Sequence, residues 1–240
     1  MEPEQYEALA HLEDRHWFFR GQWSIARRLI EAQLPAGPLR ILDAGCGTGG
    51  TSRRLSSLGT VFGVDASADA LARAEHRQLP LARASIDALP FADATFDLVT
   101  SFDVLYHRRV RDDARALDEL RRVLKPSGLL FIRVPALSWL AGAHDRAVHT
   151  RHRYTRGELV RKLRDAGFVS PRASYANLAL LPLVFAKRTL DAVLPPSADL
   201  SVPPAIVNRL LEGVLSLEAR IIPSLRLPLG VSVVATARRP

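Results

Sequence analysis

The sequence predicts an α/β fold built on a doubly wound, mostly parallel sheet. Short β runs alternate with helical stretches along the chain, which is the signature of βαβ units. The first β run passes directly into a glycine-rich turn, where such sheets place ligands at the carboxyl ends of their strands. The chain has 240 residues, 48% apolar and 24% charged, enough for one domain with a substantial core.

Residues 4–34 carry apolar positions at helical spacing and are expected to be helical until Pro35. Leu39–Asp43 reads as the first strand, 51–58 as a helix closed by Gly59, and Val61–Asp65 as the second strand. Ser67 is placed to cap a helix over 67–77. Strands are expected at Leu81–Ile86 and Phe96–Ser101, and a charged amphipathic helix at Asp112–Leu124. Lys125-Pro126-Ser127-Gly128 is a turn signal before a strand at Leu129–Val134. Thr155 and Glu158 fit a capping box for a helix ending at Gly167. A strand is expected near Val169–Ala176 and a last one at Val231–Thr236. Between these lie two helical candidates, 178–193 and 204–222, separated by Pro195-Pro196 and Pro203-Pro204.

The turn Asp43-Ala44-Gly45-Cys46-Gly47-Thr48-Gly49-Gly50 carries most of the functional signal. Glycines let the backbone turn tightly and approach a ligand closely. Gly45, Gly47 and Gly50 also satisfy the dinucleotide pattern G-x-G-x-x-G. Asp65, closing the second strand, stands where an acid grips ribose hydroxyls. Together they point to a nucleotide-like ligand without separating nicotinamide from S-adenosylmethionine.

The motif Ile41–Gly49 resembles the first motif of class I S-adenosylmethionine-dependent methyltransferases, and Val64-Asp65 the second. Asp87-Ala88-Leu89-Pro90-Phe91 resembles the third, and Phe96–Val99 and Leu124–Gly128 the fourth- and fifth-strand motifs. His16-Trp17-Phe18-Phe19-Arg20, Ala136–Leu140 with His144-Asp145, His149–Thr155 and Leu227–Ser232 are similar to segments of the bacterial type 11 branch. The resemblance implies a Rossmann-like methyltransferase sheet, mostly parallel with its last strand antiparallel. It implies S-adenosylmethionine as cofactor and S-adenosylhomocysteine as product. It puts the Gly45, Cys46, Gly47 and Gly49 loop under the methionine portion and ribose, Asp43 behind the amino group, and Asp65 on the ribose hydroxyls. Asp87 and the Ala88 amide are expected at the adenine, with Ala66 and Phe102 along the cofactor. Asp97 is expected to be structural.

The whole of 1–240 is expected to be one methyltransferase domain: an N-terminal helical lid (1–37), a cofactor-binding core (38–176), a helical cap insertion (177–230) and the last strand (231–240). The aromatic residues at 17–19 either close over the cofactor, with Trp17 against it and Arg20 at its carboxylate, or pack their helix on the core. The 177–230 segment either shapes an acceptor pocket or forms a peripheral layer. His107, His144 and His149, following the fourth and fifth strands, are the candidate bases. Relatives carry Glu-His where this chain has Tyr106-His107, so a role needing that carboxylate is not carried over. No metal is expected, although His144, Asp145, His149 and His152 lie close in sequence.

The net charge of +8 comes almost wholly from arginine, either as a solvated surface or as attraction for an anionic partner. Cys46 is the single cysteine, so an internal disulfide is excluded. The acidic start, without a basic n-region and apolar run, predicts no secretory signal and a cytoplasmic protein. Leu178–Leu194 is interrupted by Lys187, Arg188 and Asp191, which argues against a membrane span but leaves peripheral membrane contact open. The functional expectation is methyl transfer to a small-molecule acceptor, biosynthetic in character. The alternatives are an RNA or protein methyltransferase and a non-catalytic S-adenosylmethionine binder. Ser101-Phe102-Asp103-Val104 lacks the Asn/Asp-Pro-Pro-Tyr/Phe signature of adenine or glutamine methylation, and the arginine-rich helices are interleaved with acids, so nucleic acid is disfavoured. Oligomeric state is not readable from the sequence.

Overall fold

The structure, a computed structural model, describes residues 3–34, 37–142, 145, 148–191 and 202–240. Its sheet has seven strands among these residues: β1 (Leu39–Ala44), β2 (Gly59–Asp65), β3 (Leu81–Arg83), β4 (Phe96–Phe102), β5 (Leu124–Pro135), β6 (Val169–Ala176) and β7 (Ser232–Arg238). The order is β3-β2-β1-β4-β5-β7-β6. All pairs from β3 to β5 are parallel, and β7 runs antiparallel between β5 and β6. The strand order reverses between β1 and β4, which opens a crevice at their carboxyl ends. The described helices are α1 (Pro3–Leu12), α2 (Trp17–Glu31), α3 (Gly50–Leu55), α4 (Ala68–Ala74), α5 (Asp113–Val123), α6 (Arg156–Asp165), α7 (Leu181–Asp191) and α8 (Ala205–Ile221).

The central strands are buried on both faces: Ile41, Leu42, Leu98, Val99, Phe131 and Ile132 are inaccessible to solvent, as expected of a parallel sheet covered by helices. Ser67, Asp112 and Thr155 cap α4, α5 and α6 by accepting backbone N–H groups.

Four local expectations are corrected. The continuous 4–34 helix is broken before Trp17. His16 takes an extended backbone and its Nδ1 accepts the Phe18 N–H, which starts α2 afresh. The third strand stops at Arg83, because a turn follows in which the Ala88 N–H bonds the Ser85 carbonyl. Lys125–Gly128 is an excursion within β5 rather than a turn before it. Phe96 pairs with Leu124 and Leu98 with Leu129, and Ser127 absorbs the extra length at φ 61°. The capping box is half formed, since Glu158 bonds His152 Nε2 instead of reaching back to Thr155.

α2 and α8 pack closely: a Cβ on Gly21 would lie 2.4 Å from Leu215 Cδ1. Asn208 of α8 accepts the Trp17 N–H at 2.9 Å and donates to the Arg15 carbonyl. Asn177 Oδ1 accepts from Gln22, and its Nδ2 donates to Ser232 Oγ. Glu218 accepts the Asn177 N–H. The N-terminal helical segment and the 177–230 insertion are thereby joined in one helical layer.

Candidate functional site

The loop after β1 bends through three left-handed positions, Gly45 (φ 86°), Gly47 (φ 56°) and Gly49 (φ 81°). A Cβ on Gly45 would lie 2.1 Å from Val104 Cγ2, so the loop after β1 approaches the loop after β4 too closely for any side chain there. A Cβ on Gly47 would meet nothing within 4 Å. That open cradle is the side of the loop available to a ligand. Cys46 points the other way and is buried, its Sγ 2.9 Å from where a Cβ on Gly63 would stand.

Asp65 closes the cradle from β2. Its Oδ2 accepts the Gly47 N–H at 2.9 Å and its Oδ1 the Ser67 N–H at 2.8 Å. Each carboxylate oxygen keeps a lone pair for a further donor, so the group is fixed in place and still able to receive vicinal hydroxyls. The Ala66 carbonyl is taken by Arg83 Nε at 3.3 Å.

Asp43 lies beneath the loop, fully buried. It accepts from Ser52 Oγ at 2.6 Å and from Thr100 Oγ1 at 2.9 Å, tying α3 and β4 to β1. Both oxygens are engaged inside the protein, so Asp43 supports the loop rather than facing the crevice. Burial pushes its pKa up to about 6, against the lowering effect of the two hydroxyls. The folded pKa then exceeds the unfolded one, near 4. The protein binds this proton more tightly when folded, and that stabilisation, full below about pH 4, is lost as pH rises through 6. Compared by urea unfolding at both ends of that window, Asp43→Asn should gain up to about 3 kcal/mol on wild type between pH 4 and pH 7.

Helix α1 and the turn after it cover this region, through contacts of which the sequence carries no sign. Glu13 Oε2 accepts from Thr48 Oγ1 at 2.8 Å, and Glu13 Oε1 pairs with Arg77 at 2.6 Å. Arg77 also binds Asp14, and Arg54 donates to the Glu13 and Phe19 carbonyls. Tyr6 is buried beside Ser67 and Asp65, and burial raises its phenol pKa.

Asp87 is half-buried and its carboxylate has no partner among the described residues, whereas its carbonyl accepts from Arg115 Nε. The Ala88 amide donates to the Ser85 carbonyl at 3.1 Å. Asp97 is structural: it accepts from Lys125 Nζ at 2.7 Å and from the Arg40 N–H at 2.9 Å.

At the carboxyl ends of β4 and β5 the Arg133 guanidinium lies 5.6 Å from the Phe102 ring and 5.9 Å from the Phe18 ring. It pairs with Asp103, and its buried Nε has no hydrogen-bond partner among the described residues. The sequence puts Phe102 along the cofactor and Phe18 in the aromatic run 17–19 but gives no sign of Arg133, which meets both rings only through the fold.

The remaining candidates are dispersed. Trp17 packs with Leu180 and Leu215, the helix-packing alternative. Arg20 pairs with Glu212 at 3.1 Å, in a groove lined also by Trp23, Arg53 and Ser57. His107 Nδ1 accepts the Arg109 N–H, so the neutral ring carries its hydrogen on Nε2. Burial, with Arg109 and His149 adding to it, pushes the His107 pKa down to about 4. The geometry therefore offers a hydrogen-bond donor there instead of a base. His149 sits 5.9 Å from His107 at φ 54°. His144 lies outside the described residues. Asp145 is held by a two-point contact with Arg153, and His152 by Glu158. Among the described residues no three His, Cys, Asp or Glu side chains gather to hold a metal.

A family model described as a methyltransferase domain matches residues 42–132, the span from the glycine loop to β5. The chain is 31% identical over 179 residues to trans-aconitate 2-methyltransferase of Deinococcus radiodurans, covering 72% of this chain and 66% of that protein. It is 43% identical over 106 residues to malonyl-[acyl-carrier protein] O-methyltransferase of Enterobacter lignolyticus, covering 42% of this chain and 41% of that one. The chain belongs to the class I S-adenosylmethionine-dependent methyltransferases. It spans about two thirds of the first of these relatives and under half of the second. A solved methyltransferase of Thermotoga maritima shares the fold, with a TM-score of 0.63 at 19% identity over 99% of this chain and 96% of that one. In this class I methyltransferase the open face at Gly47, the fixed Asp65 carboxylate and the unpaired Asp87 carboxylate suit the cofactor the family uses: an acceptor for ribose hydroxyls, an acceptor for an amino group, and backbone free of side chains between them.

Proposed function

We propose that this chain transfers the methyl group of S-adenosylmethionine to a small organic acceptor seated at the carboxyl ends of β4 and β5. The observation that carries the reading is the cradle at Gly47 with Asp65 pinned beside it, at the same carboxyl edge of the sheet where Phe18, Arg133 and Phe102 gather. Gly45, Gly47 and Gly49 would hold the cofactor by their backbone, Asp65 by its ribose and Asp87 by its adenine amino group. The bound cofactor supplies an electrophilic methyl group on a sulfonium.

The protein's own contribution is orientation and exclusion of water. Phe18 and Phe102 present apolar faces at the acceptor end, and Arg133 brings a buried cation between them. An ionised carboxylate or thiolate acceptor already carries its attacking electron pair and needs no base. That agrees with the neutral, donor-presenting His107 and with the carboxylic acid named for the Deinococcus radiodurans relative. The N-terminal segment 1–37 acts as the lid, a role supported by the contacts of Tyr6 and Glu13 with Ser67 and Thr48.

The test is release of S-adenosylhomocysteine against a panel of organic acids, thiols and phenols, with total RNA and a protein lysate as further acceptors. Turnover on a small acid or thiol supports the reading. Labelled methyl appearing only in RNA or protein, or cofactor binding with no turnover on anything, overturns it. With a productive acceptor in hand, Arg133→Met should raise the acceptor KM about 10- to 100-fold, the worth of one charged hydrogen bond, and leave the cofactor Kd unchanged.

A further inference from the structure

Helix α8 buries one side and leaves the other apolar and bare. Asn208, Leu215, Glu218 and Ala219 face inward. Ile206, Leu210, Val214, Leu217 and Ile221 recur at steps of three and four, so they form a single stripe. The first, second and fourth of these are 75%, 66% and 59% exposed. Leu225 and Leu229 beyond the helix, and Leu183 and Phe185 on α7, are exposed as well.

The charges around this stripe have one sign. Arg209 and Arg220 stand three residues after Ile206 and Leu217, along one border of the stripe, and Arg226 follows the helix. All three are exposed and have no carboxylate partner among the described residues. The two acids of the helix are withdrawn: Glu212 pairs with Arg20, and Glu218 is buried on the Asn177 N–H.

We propose that this face of α8 docks on an anionic lipid bilayer, with the helix lying in the interfacial plane. An apolar stripe bordered by arginine is the pattern of an interfacial helix: the stripe enters the acyl boundary while the arginines reach up to anionic headgroups. A second copy of the chain fits less well. Isologous pairing would bring two rows of unpaired arginines together with no carboxylate to receive them. The surface is wider than the Leu178–Leu194 stretch that the sequence suggested: Leu183 and Phe185 of that stretch are exposed, whereas Leu180 is buried and Leu178, Leu181 and Val184 pack against the core. No described helix is long and apolar enough to cross a membrane, so the contact is peripheral. The inner side of the same helix holds α2 through Asn208 and Trp17, and α2 carries Phe18 onto Arg133, so the docking face and the acceptor end share one helical layer.

The experiment is co-sedimentation of the full chain with vesicles of phosphatidylcholine alone and of phosphatidylcholine with about one third phosphatidylglycerol. Wild type should partition onto the anionic vesicles at least about tenfold more strongly, and less so as salt is raised. Leu210→Glu with Leu217→Glu should lose at least about tenfold of that binding. Arg209→Gln with Arg220→Gln should lose the preference for anionic lipid. Melting temperatures of both variants, with and without S-adenosylmethionine, confirm that the fold and cofactor site are intact. Equal partition of wild type and the leucine variant, or no binding to either vesicle, overturns the proposal. So does light scattering that finds a dimer dissociated by the leucine changes without vesicle binding, which would assign the face to a second copy.

Discussion

Asp65→Ala should weaken S-adenosylmethionine binding about 100- to 10,000-fold in isothermal titration, the largest effect on the cofactor from any single side chain. Two charge-assisted hydrogen bonds to ribose hydroxyls would be lost, each worth about 1.5–3 kcal/mol. The carboxylate also accepts the Gly47 and Ser67 N–H groups, so the same change loosens the glycine loop itself. Asp65→Asn separates the two contributions. It keeps one acceptor oxygen for one of the two backbone N–H groups but presents an NH2 to the other and to a hydroxyl that must donate, so its melting temperature should fall less than that of Asp65→Ala while its affinity still falls by at least about tenfold.

Arg77→Met should cost about 3–5 kcal/mol of stability at pH 8, the largest effect expected on folding. Arg77 and Glu13 are ion-paired with side chains only 3% and 9% exposed. Without the guanidinium the Glu13 carboxylate stays buried with Thr48 as its remaining hydrogen-bond partner. Burial already raises the Glu13 pKa against the lowering effects of Thr48 and Arg77. Removing the arginine raises it further, so Glu13 takes up a proton more readily and the destabilisation shrinks as pH falls. Urea unfolding at pH 5 and pH 8 measures this, and adding Glu13→Gln to Arg77→Met should restore much of the loss at pH 8.

The parts of the fold legible in the sequence are those decided by neighbouring residues. Leu39–Ala44 followed by the glycines reads as strand and loop because only glycine tolerates three left-handed positions so close together. Asp65 at the end of β2 and the caps Ser67 and Thr155 are equally local. What escaped the sequence depends on contacts between distant segments. Glu13 meets Arg77, and Phe18 meets Arg133, only after the sheet has formed. His107 carries no sign in the sequence that the Arg109 amide will occupy its Nδ1. The periodicity of 204–222 announced a helix but not that two of its faces are apolar, one against α2 and one toward solvent.

The central claim is that the Gly45–Gly49 loop and Asp65 hold S-adenosylmethionine. Thermal melting of cofactor-free protein with S-adenosylmethionine, S-adenosylhomocysteine, NAD or nothing tests it most directly. A ligand at one hundred times its Kd adds about 2.7 kcal/mol, a rise of roughly 5–10 °C for a domain of this size. The account predicts that rise with S-adenosylmethionine and S-adenosylhomocysteine and none with NAD. Stabilisation by NAD alone, or by none of the three at millimolar concentration, would contradict it.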